Sequence, residues 1–464
     1  MVKFDINTPC HVHFIGIGGS SMSGLARILI EKGFTVTGSD NSEGKETDAL
    51  KADGCPVYIP QSGDNVTDDI DLAVYTAAIH DDNPELIEIR KRGIPDISRA
   101  DFLGAISSNY NNSVCVSGTH GKTTTTSLIT DICIEAGLDP TVSVGGVIET
   151  IGGNMRVGAS DTFITEACEY TNSFLSLHPT IAVILNIEAD HLDFFGDLEH
   201  IRYAFRDFAR LLPSDGVLVV NSDIDDYSFF APDNGARMVT YGTDPSKSDY
   251  YADNISFDEN GLGTFDLYKN GTFAYTVSLG VPGMHNVSNS LAAIAAAEAA
   301  GADADSIIRG LKASSGAGRR LENKGSFNGV RIIDDYAHHP DEIKATLSAV
   351  RLMTSKKMWA VFQPHSFSRT NDFLEDFADT LAELADVSVL AEIFNNREVN
   401  TYGVSSSQIR DLIEKKGKEA YYFETFEEIA DFLKEHCDSG DIVVTMSAGN
   451  IYKLAEMLVP EENS

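Results

Sequence analysis

The run Ser117-Gly-Thr-His-Gly-Lys-Thr-Thr-Thr-Thr126 constrains this chain more than any other stretch. It follows a short apolar segment, Val114-Cys115-Val116, and precedes a helical stripe through Leu128, Ile129 and Ile132. A strand feeding a glycine loop that opens a helix presents backbone N–H groups and a helix N-terminus to an anion. The spacing brings the Lys122 ammonium to the β- and γ-phosphates of a nucleotide and the Thr123 hydroxyl to Mg²⁺. Gly118, Thr119, His120, Gly121 and Thr124 complete the loop. The glycine that usually opens such a loop would fall on Val116, so Gly118 and Gly121 are its only glycines. The plainer alternative is a strand-to-helix turn carrying a surface lysine.

A chain of 464 residues is too long for one core. The formal net charge of −35 argues against nucleic acid or an anionic membrane as a partner. Anionic small ligands remain possible where local N–H groups, lysines, arginines or metal ions hold them. Six cysteines without a CxxC pair read as reduced residues of a reducing compartment, and no run is apolar enough to span a bilayer. The expectation is a cytoplasmic protein. Its oligomeric state, monomer or weak dimer, is left open by the sequence.

Near the N-terminus, the apolar run His11 to Ile15 leads into Gly16-Ile-Gly-Gly-Ser-Ser-Met-Ser-Gly24, then a helical stripe and a second strand ending at Ser39-Asp40. This is a βαβ nucleotide-binding pattern, with an acid about 20 residues after the glycines and placed for a ribose hydroxyl. Ser21 stands at the third glycine position, and an NAD-dependent oxidoreductase is the rival reading. Further strands end at Thr76 and at Ser98-Arg99, and ligands gather at such carboxyl ends. Thr76 and Arg99 are therefore candidates for substrate contact.

Beyond the phosphate loop, Gly145-Gly146 and Gly152-Gly153 predict turn-rich structure. The strand Asp161 to Thr165 delivers Glu166-Ala-Cys-Glu169, with Glu166 placed as a Mg²⁺ partner and Glu169 read as a solvated carboxylate. Ile181 to Leu185 delivers Asn186, Glu188, Asp190 and His191, a polar cluster that favours a metal-ligand role for His191. Residues 224–275 predict hairpins. His285, Asn286 and Asn289 precede an alanine-rich helix and serve either as caps or as nucleotide contacts. Gly316-Ala-Gly318 predicts a hinge, followed by Arg319-Arg320, either a phosphate clamp or surface charge.

These motifs together resemble the Mur ligases, ATP-dependent enzymes that build the peptidoglycan precursor. The resemblance runs through Gly-Thr-His-Gly-Lys-Thr-Thr, the extended glycine loop, Glu166-Ala-Cys-Glu169, Gly-Met-His285-Asn286-Val-Ser-Asn289, Arg319-Arg320, Asp334-Asp-Tyr-Ala-His-His-Pro340 and Gln363-Pro-His-Ser-Phe-Ser-Arg369. It implies three α/β domains: Rossmann-like at 1–106, P-loop ATPase-like at 107–314 and Rossmann-like at 315–464. The first grips a UDP-sugar through Gly16, Gly18, Gly19, Ser20, Met22, Ser23, Asp40, Thr76 and Arg99, with Asn186 contributing from the second.

ATP is implied to meet the phosphate loop, His285, Asn286, Asn289, Arg319, Arg320, Asp335, Tyr336 and His339. Lys122, Glu166 and His191 are the implied catalytic residues, and Thr123, Glu166 and His191 the implied Mg²⁺ ligands. His365 and Arg369 are implied to read the incoming amino acid. Cys168 stands where the family usually has aspartate, and Ser366 where it often has arginine or threonine. Helix Ile201 to Leu212 lacks the lysine that several members carry after the metal histidine, as the alanine-adding branch does. The implied activity joins L-alanine to UDP-N-acetylmuramate. The nearest alternative adds a recycled tripeptide.

Overall fold

The computed structural model describes residues 4–394 and 398–459. The chain forms two compact units: one runs to residue 253 and takes in 267–275 and 288–314, and the other comprises 254–266, 276–287 and the chain from 315 onward.

The first unit carries a five-stranded parallel sheet in the order Val57–Tyr58, Thr35–Ser39, His11–Ile15, Leu72–Tyr75, Asp96–Ser98. The order reverses at His11–Ile15, so a crevice opens at that strand's carboxyl end, where the glycine loop begins. The strand is wholly buried, as a parallel strand covered on both faces must be. Helix Ser20–Glu31 covers it with Leu25, Ala26, Ile28 and Leu29. Asn83 caps helix Pro84–Arg92, with proline in the first turn as expected from the sequence.

The same unit holds the phosphate loop's sheet. Its middle strand, Asn112–Ser117, pairs in parallel with Ile181–Ile184 on one side and Thr162–Glu166 on the other. Val217–Asn221 and Arg237–Gly242 extend one edge, Thr141–Ile148 and Gly153–Arg156 the other. Strand neighbours thus bring the carboxyl ends at Ser117, Glu166 and Ile184 side by side. Gly145 and Gly146 are not a turn but lie inside the strand Thr141–Ile148. A strand can absorb glycines where another group approaches closely, and here a Cβ on Gly145 would lie 3.3 Å from the Glu166 carboxylate.

The stretch read as hairpins from residue 224 starts instead with a 3₁₀ turn, Tyr227–Phe230, and the strand Arg237–Gly242, parallel to its neighbour. Three strands joined by short turns follow, Tyr250–Phe257, Leu262–Lys269 and Thr272–Pro282, their residues divided between the two units.

In the second unit the sheet order is Glu322–Phe327, Val330–Asp335, Ile442–Met446, Met358–Phe362, Val387–Ala391, Glu419–Phe423. The first pairing is antiparallel and the rest are parallel. Alternate residues feed two cores: Ile333, Ala360, Phe362, Leu390 and Val444 on one face, Ile332, Trp359, Val361, Val389 and Val443 on the other. The three α/β sheets agree with the fold class expected from the sequence. Among the described residues, no helix is long and apolar enough to cross a membrane.

Candidate active site

The phosphate loop turns on its two glycines. Gly118 and Gly121 have φ of +146° and +85°, and a Cβ at either would stand 2.8 Å from Leu185 Cβ or Asn289 Oδ1 respectively. Both positions exclude other residues on steric grounds. Val116, at the place of the missing opening glycine, is a fully buried strand residue and needs no special backbone.

The loop is fastened to the segment after Ile184. Asn186 Oδ1 accepts the His120 N–H at 2.7 Å, Asn186 Nδ2 donates to the His120 carbonyl at 3.0 Å, and the Thr119 N–H donates to the Asn186 carbonyl at 3.1 Å. The Glu188 N–H donates to Thr119 Oγ1 at 2.9 Å. Asn186 was expected to touch the sugar nucleotide; in this structure its side-chain amide is engaged on the loop backbone. Asn289 also lies against the loop, facing Gly121.

Lys122 begins helix Lys122–Glu135, and its ammonium folds back over the loop. It donates to the carbonyls of Gly118 (2.5 Å) and Thr119 (3.1 Å) and to both Glu169 oxygens (3.1 and 2.9 Å). Burial pulls the lysine pKa down, but the Glu169 carboxylate, with Cys168 and Glu166 nearby, outweighs it and raises the pKa. Glu169 is itself buried. The reading of Glu169 as a solvated carboxylate is corrected: a buried ammonium requires a counter-ion, and Glu169 supplies it. Only the lysine's burial, which the sequence does not display, could have pointed to it.

Glu166 ends its strand, and its Oε1 accepts the Gly145 N–H at 2.7 Å. Cys168 is exposed. His191 sits in left-handed backbone (φ 53°) with its ring 4.5 Å from that of Tyr170 and Nε2 3.7 Å from an Asp190 oxygen. Thr123 and Glu166 offer hard oxygens, with Glu166 Oε2 outside the bond to Gly145, and His191 an imidazole. Among the described residues of this unit, no three imidazole, thiol or carboxylate groups converge within 4.8 Å. A sparse set of protein donors suits Mg²⁺, which keeps waters and draws on substrate phosphates. Tyr170 was not anticipated, because ring stacking across a turn leaves no spacing signal.

At the other sheet, the N–H groups of Gly16 and Ile17 donate to the Ser39 carbonyl, and the Gly18 N–H donates to Asp40 Oδ2 at 2.9 Å. Asp40 thus braces the glycine loop with the oxygen nearest it. Thr76 packs over Gly16, whose φ is +85°. Gly19 caps the helix that begins at Ser20, while Met22 and Ser23 are buried within its first turns. Arg99 donates to Ser21 Oγ at 3.3 Å. Burial lowers its pKa, with Cys168 close enough to act in the opposite sense. Among the described residues no carboxylate pairs with Arg99, so a half-desolvated guanidinium faces a helix N-terminus, an arrangement that favours an anion.

In the second unit the arginine doublet separates by role. Arg319 Nε donates to buried Asp334 (3.0 Å), and its two terminal nitrogens donate to the carbonyls of Gly449 (3.0 Å) and Ser447 (2.7 Å). Arg320 makes none of these bonds; its guanidinium lies 5.2 Å over the Tyr336 ring. Asp335 is buried and accepts from the Leu321 and Ala337 N–H groups and from Thr346 Oγ1. Its pKa is raised by burial, against the pull of Arg320 and those donors. His339 caps helix Pro340–Arg351, with its ring edge on Phe373.

His365 stacks on Phe394 at 5.7 Å, and Arg369 lies in the short helix Phe367–Asp372, half-buried. Ser366 caps that helix from a backbone with φ 70°. Asn286 donates to the Pro282 carbonyl at 2.7 Å.

Burial, then the Arg320 guanidinium, pull His285 down to about 4. The neutral imidazole is therefore favoured by folding. Its stabilising contribution is complete above about 6.5 and is lost as pH falls through 4. In urea titrations the unfolding midpoint of the wild type is expected to drop between pH 6.5 and 4 by more than that of His285→Gln. Equal drops would remove the histidine from the account.

Family models match most of the chain in three pieces: "Mur ligase family, catalytic domain" over residues 11–111, "Mur ligase middle domain" over 116–297 and "Mur ligase, glutamate ligase domain" over 319–449. The chain is similar to the UDP-N-acetylmuramate–L-alanine ligase of Lachnospira eligens, with 52% identity over 459 residues, 99% of this chain and 100% of the relative. The enzyme of that name from Lachnoclostridium phytofermentans is 49% identical over 468 residues, again 99% and 100% of the two chains. Among solved structures, the UDP-N-acetylmuramate–alanine ligase of Thermotoga maritima matches with a TM-score of 0.80 and 30% identity, covering 97% of this chain and 98% of that one. A murein peptide ligase from Psychrobacter arcticus matches with a TM-score of 0.67 and 25% identity over the same shares.

Proposed function

The chain belongs to the Mur ligase family, and from that premise we propose that it joins L-alanine to the carboxylate of UDP-N-acetylmuramate. ATP is converted to ADP and phosphate, and the product, UDP-N-acetylmuramoyl-L-alanine, enters peptidoglycan precursor synthesis in the cytoplasm. One observation carries this reading: a single unit holds both a phosphate loop with a buried lysine and a second glycine loop facing the half-desolvated Arg99. Divided by task, residues 1–106 hold the sugar nucleotide, 107–314 hold ATP, and 315–464 bring the amino acid.

The muramyl carboxylate attacks the γ-phosphorus, an acyl phosphate forms and ADP departs. The alanine amine, after losing a proton to a base or to a phosphate oxygen, attacks the acyl carbon, and phosphate leaves from the tetrahedral intermediate. Lys122 and the first-turn N–H groups of helix Lys122–Glu135 offset the charge that gathers as two anions meet. Mg²⁺, held by Thr123 and Glu166 with a second ion at His191, would supply further charge neutralisation. Arg99 and the N-terminus of helix Ser20–Glu31 hold the diphosphate, and Asp40 and Thr76 shape the loop beneath it. Arg369 pairs with the alanine carboxylate beside His365. Arg320 and Tyr336, with His285, Asn286, Asn289 and His339, complete the nucleotide's surroundings.

Phosphate release from ATP and Mg²⁺ with UDP-N-acetylmuramate tests the reading, comparing L-alanine, glycine, L-serine and the tripeptide as acceptors. Release strongest with L-alanine is expected. Release with tripeptide alone would reassign the chain to peptide recycling, and NADH formation without phosphate release would revive the oxidoreductase reading.

A further inference from the structure

The Lys122 ammonium has no vacant donor in this structure. Its three N–H bonds face four acceptor atoms within 3.1 Å: two loop carbonyls and both oxygens of Glu169. A phosphate arriving at the loop must displace one of them. The carbonyls of Gly118 and Thr119 belong to the loop itself and cannot withdraw without dismantling it. The carboxylate is the removable partner, and it is also the one that repels a polyphosphate.

The backbone beyond Glu169 is strained. Thr171 and Asn172 both adopt left-handed conformations, φ 54° and 59°. For a β-branched residue this is an outlier. Asn172 Oδ1 is buried without a donor. Two consecutive costly conformations persist only where surrounding contacts over-determine them. The turn is held by its own hydrogen bonds, Asn172 N–H to the Glu169 carbonyl and Phe174 N–H to the Cys168 carbonyl, and at its start by Glu169 against Lys122 and Tyr170 against His191.

We propose that Glu169 is a positioning residue that holds Lys122 over the loop, competing with the nucleotide's phosphates for the ammonium and so setting ATP affinity. This rests on the assignment of ATP to the phosphate loop. The carboxylate keeps a buried lysine charged and aligned over the loop, and must yield it to an arriving phosphate. Glu169 stands immediately before that left-handed pair, Thr171 and Asn172, so the backbone that carries the carboxylate is the strained segment.

The test is calorimetric binding of ATP and of AMP to the full chain with Mg²⁺, comparing wild type, Glu169→Gln and Glu169→Asp. AMP is the control because it lacks the phosphates that reach Lys122. Glu169→Gln keeps the shape and removes the competing charge, so ATP is expected to bind about tenfold more tightly while AMP is unchanged. Glu169→Asp keeps the charge but shortens the reach, and should tighten ATP by a smaller factor, about threefold. This second variant decides the matter if the first does not fold. ATP binding that is unchanged or weaker in the folded variants, or an equal shift for AMP, overturns the proposal. A wild type that binds no ATP would instead overturn the assignment of the loop.

Discussion

Lys122→Ala is expected to lower kcat by about a thousandfold or more while binding of UDP-N-acetylmuramate survives. The loss follows from the lysine's place. It is the ammonium seated over the loop's own carbonyls, and a charge aimed at a transferring phosphoryl group in a dry site is worth roughly 10²–10³ or more in rate. The glycine loop proposed to hold the sugar nucleotide, Gly16 to Ser23, belongs to a different sheet, and among the described residues it shares no hydrogen bond with Lys122. Phosphate release and equilibrium binding of the sugar nucleotide, measured on the same preparation, separate the two. ATP cleavage that persisted in the variant would mean that the loop serves something else. A joint loss of both activities would indicate damage to the fold, because Glu169 is left buried without its counter-ion.

Replacing Arg319 by alanine should destabilise the second unit by about 3–5 kcal/mol, the range found when one partner of a buried ion pair is removed. Asp334 has a fully buried side chain, and burial raises its pKa against the pull of Thr445 and Arg319. Deleting the guanidinium strands that carboxylate and also frees the carbonyls of Ser447 and Gly449. Arg320→Ala should cost less stability than Arg319→Ala, because it removes a ring contact and a charge near Asp335 but strands no hydrogen-bonded carboxylate, and should raise the KM for ATP. Denaturant titration alongside ATP kinetics reads both effects. If Arg319→Ala were as stable as wild type and impaired only in ATP use, the division of labour between the two arginines would be wrong.

That division was invisible in the sequence, where two adjacent arginines after a glycine pair look equivalent. Both guanidiniums lie over the Tyr336 ring, at 5.1 and 5.2 Å, and what separates them is that Arg319 alone reaches Asp334 and the carbonyls of Ser447 and Gly449, from a left-handed backbone with φ 58°. The phosphate loop, the glycine loop and the acidic strand ends were legible because each is local. A strand's carboxyl end, a glycine and a charged residue occur within ten residues, and the sheet order then brings such ends together. The Lys122–Glu169 pair is separated by 47 positions and depends on neighbouring strands, so no spacing rule reaches it. Asn186 was noticed for its position, but its engagement on His120 needed the fold. Gly145 was misplaced in a turn because glycine marks both turns and close approaches, and only the Glu166 carboxylate opposite it decides between them.

The fastening of Thr119 and His120 to residues 186–188 has a consequence for the timing of catalysis. A recognition loop that must condense around its ligand loses chain entropy at each encounter and makes arrival and ordering separate events. Here four hydrogen bonds within the chain, none of which needs a ligand, hold the loop in shape. The amides of Thr119 and His120 should resist deuterium exchange as strongly in the empty protein as in the occupied one.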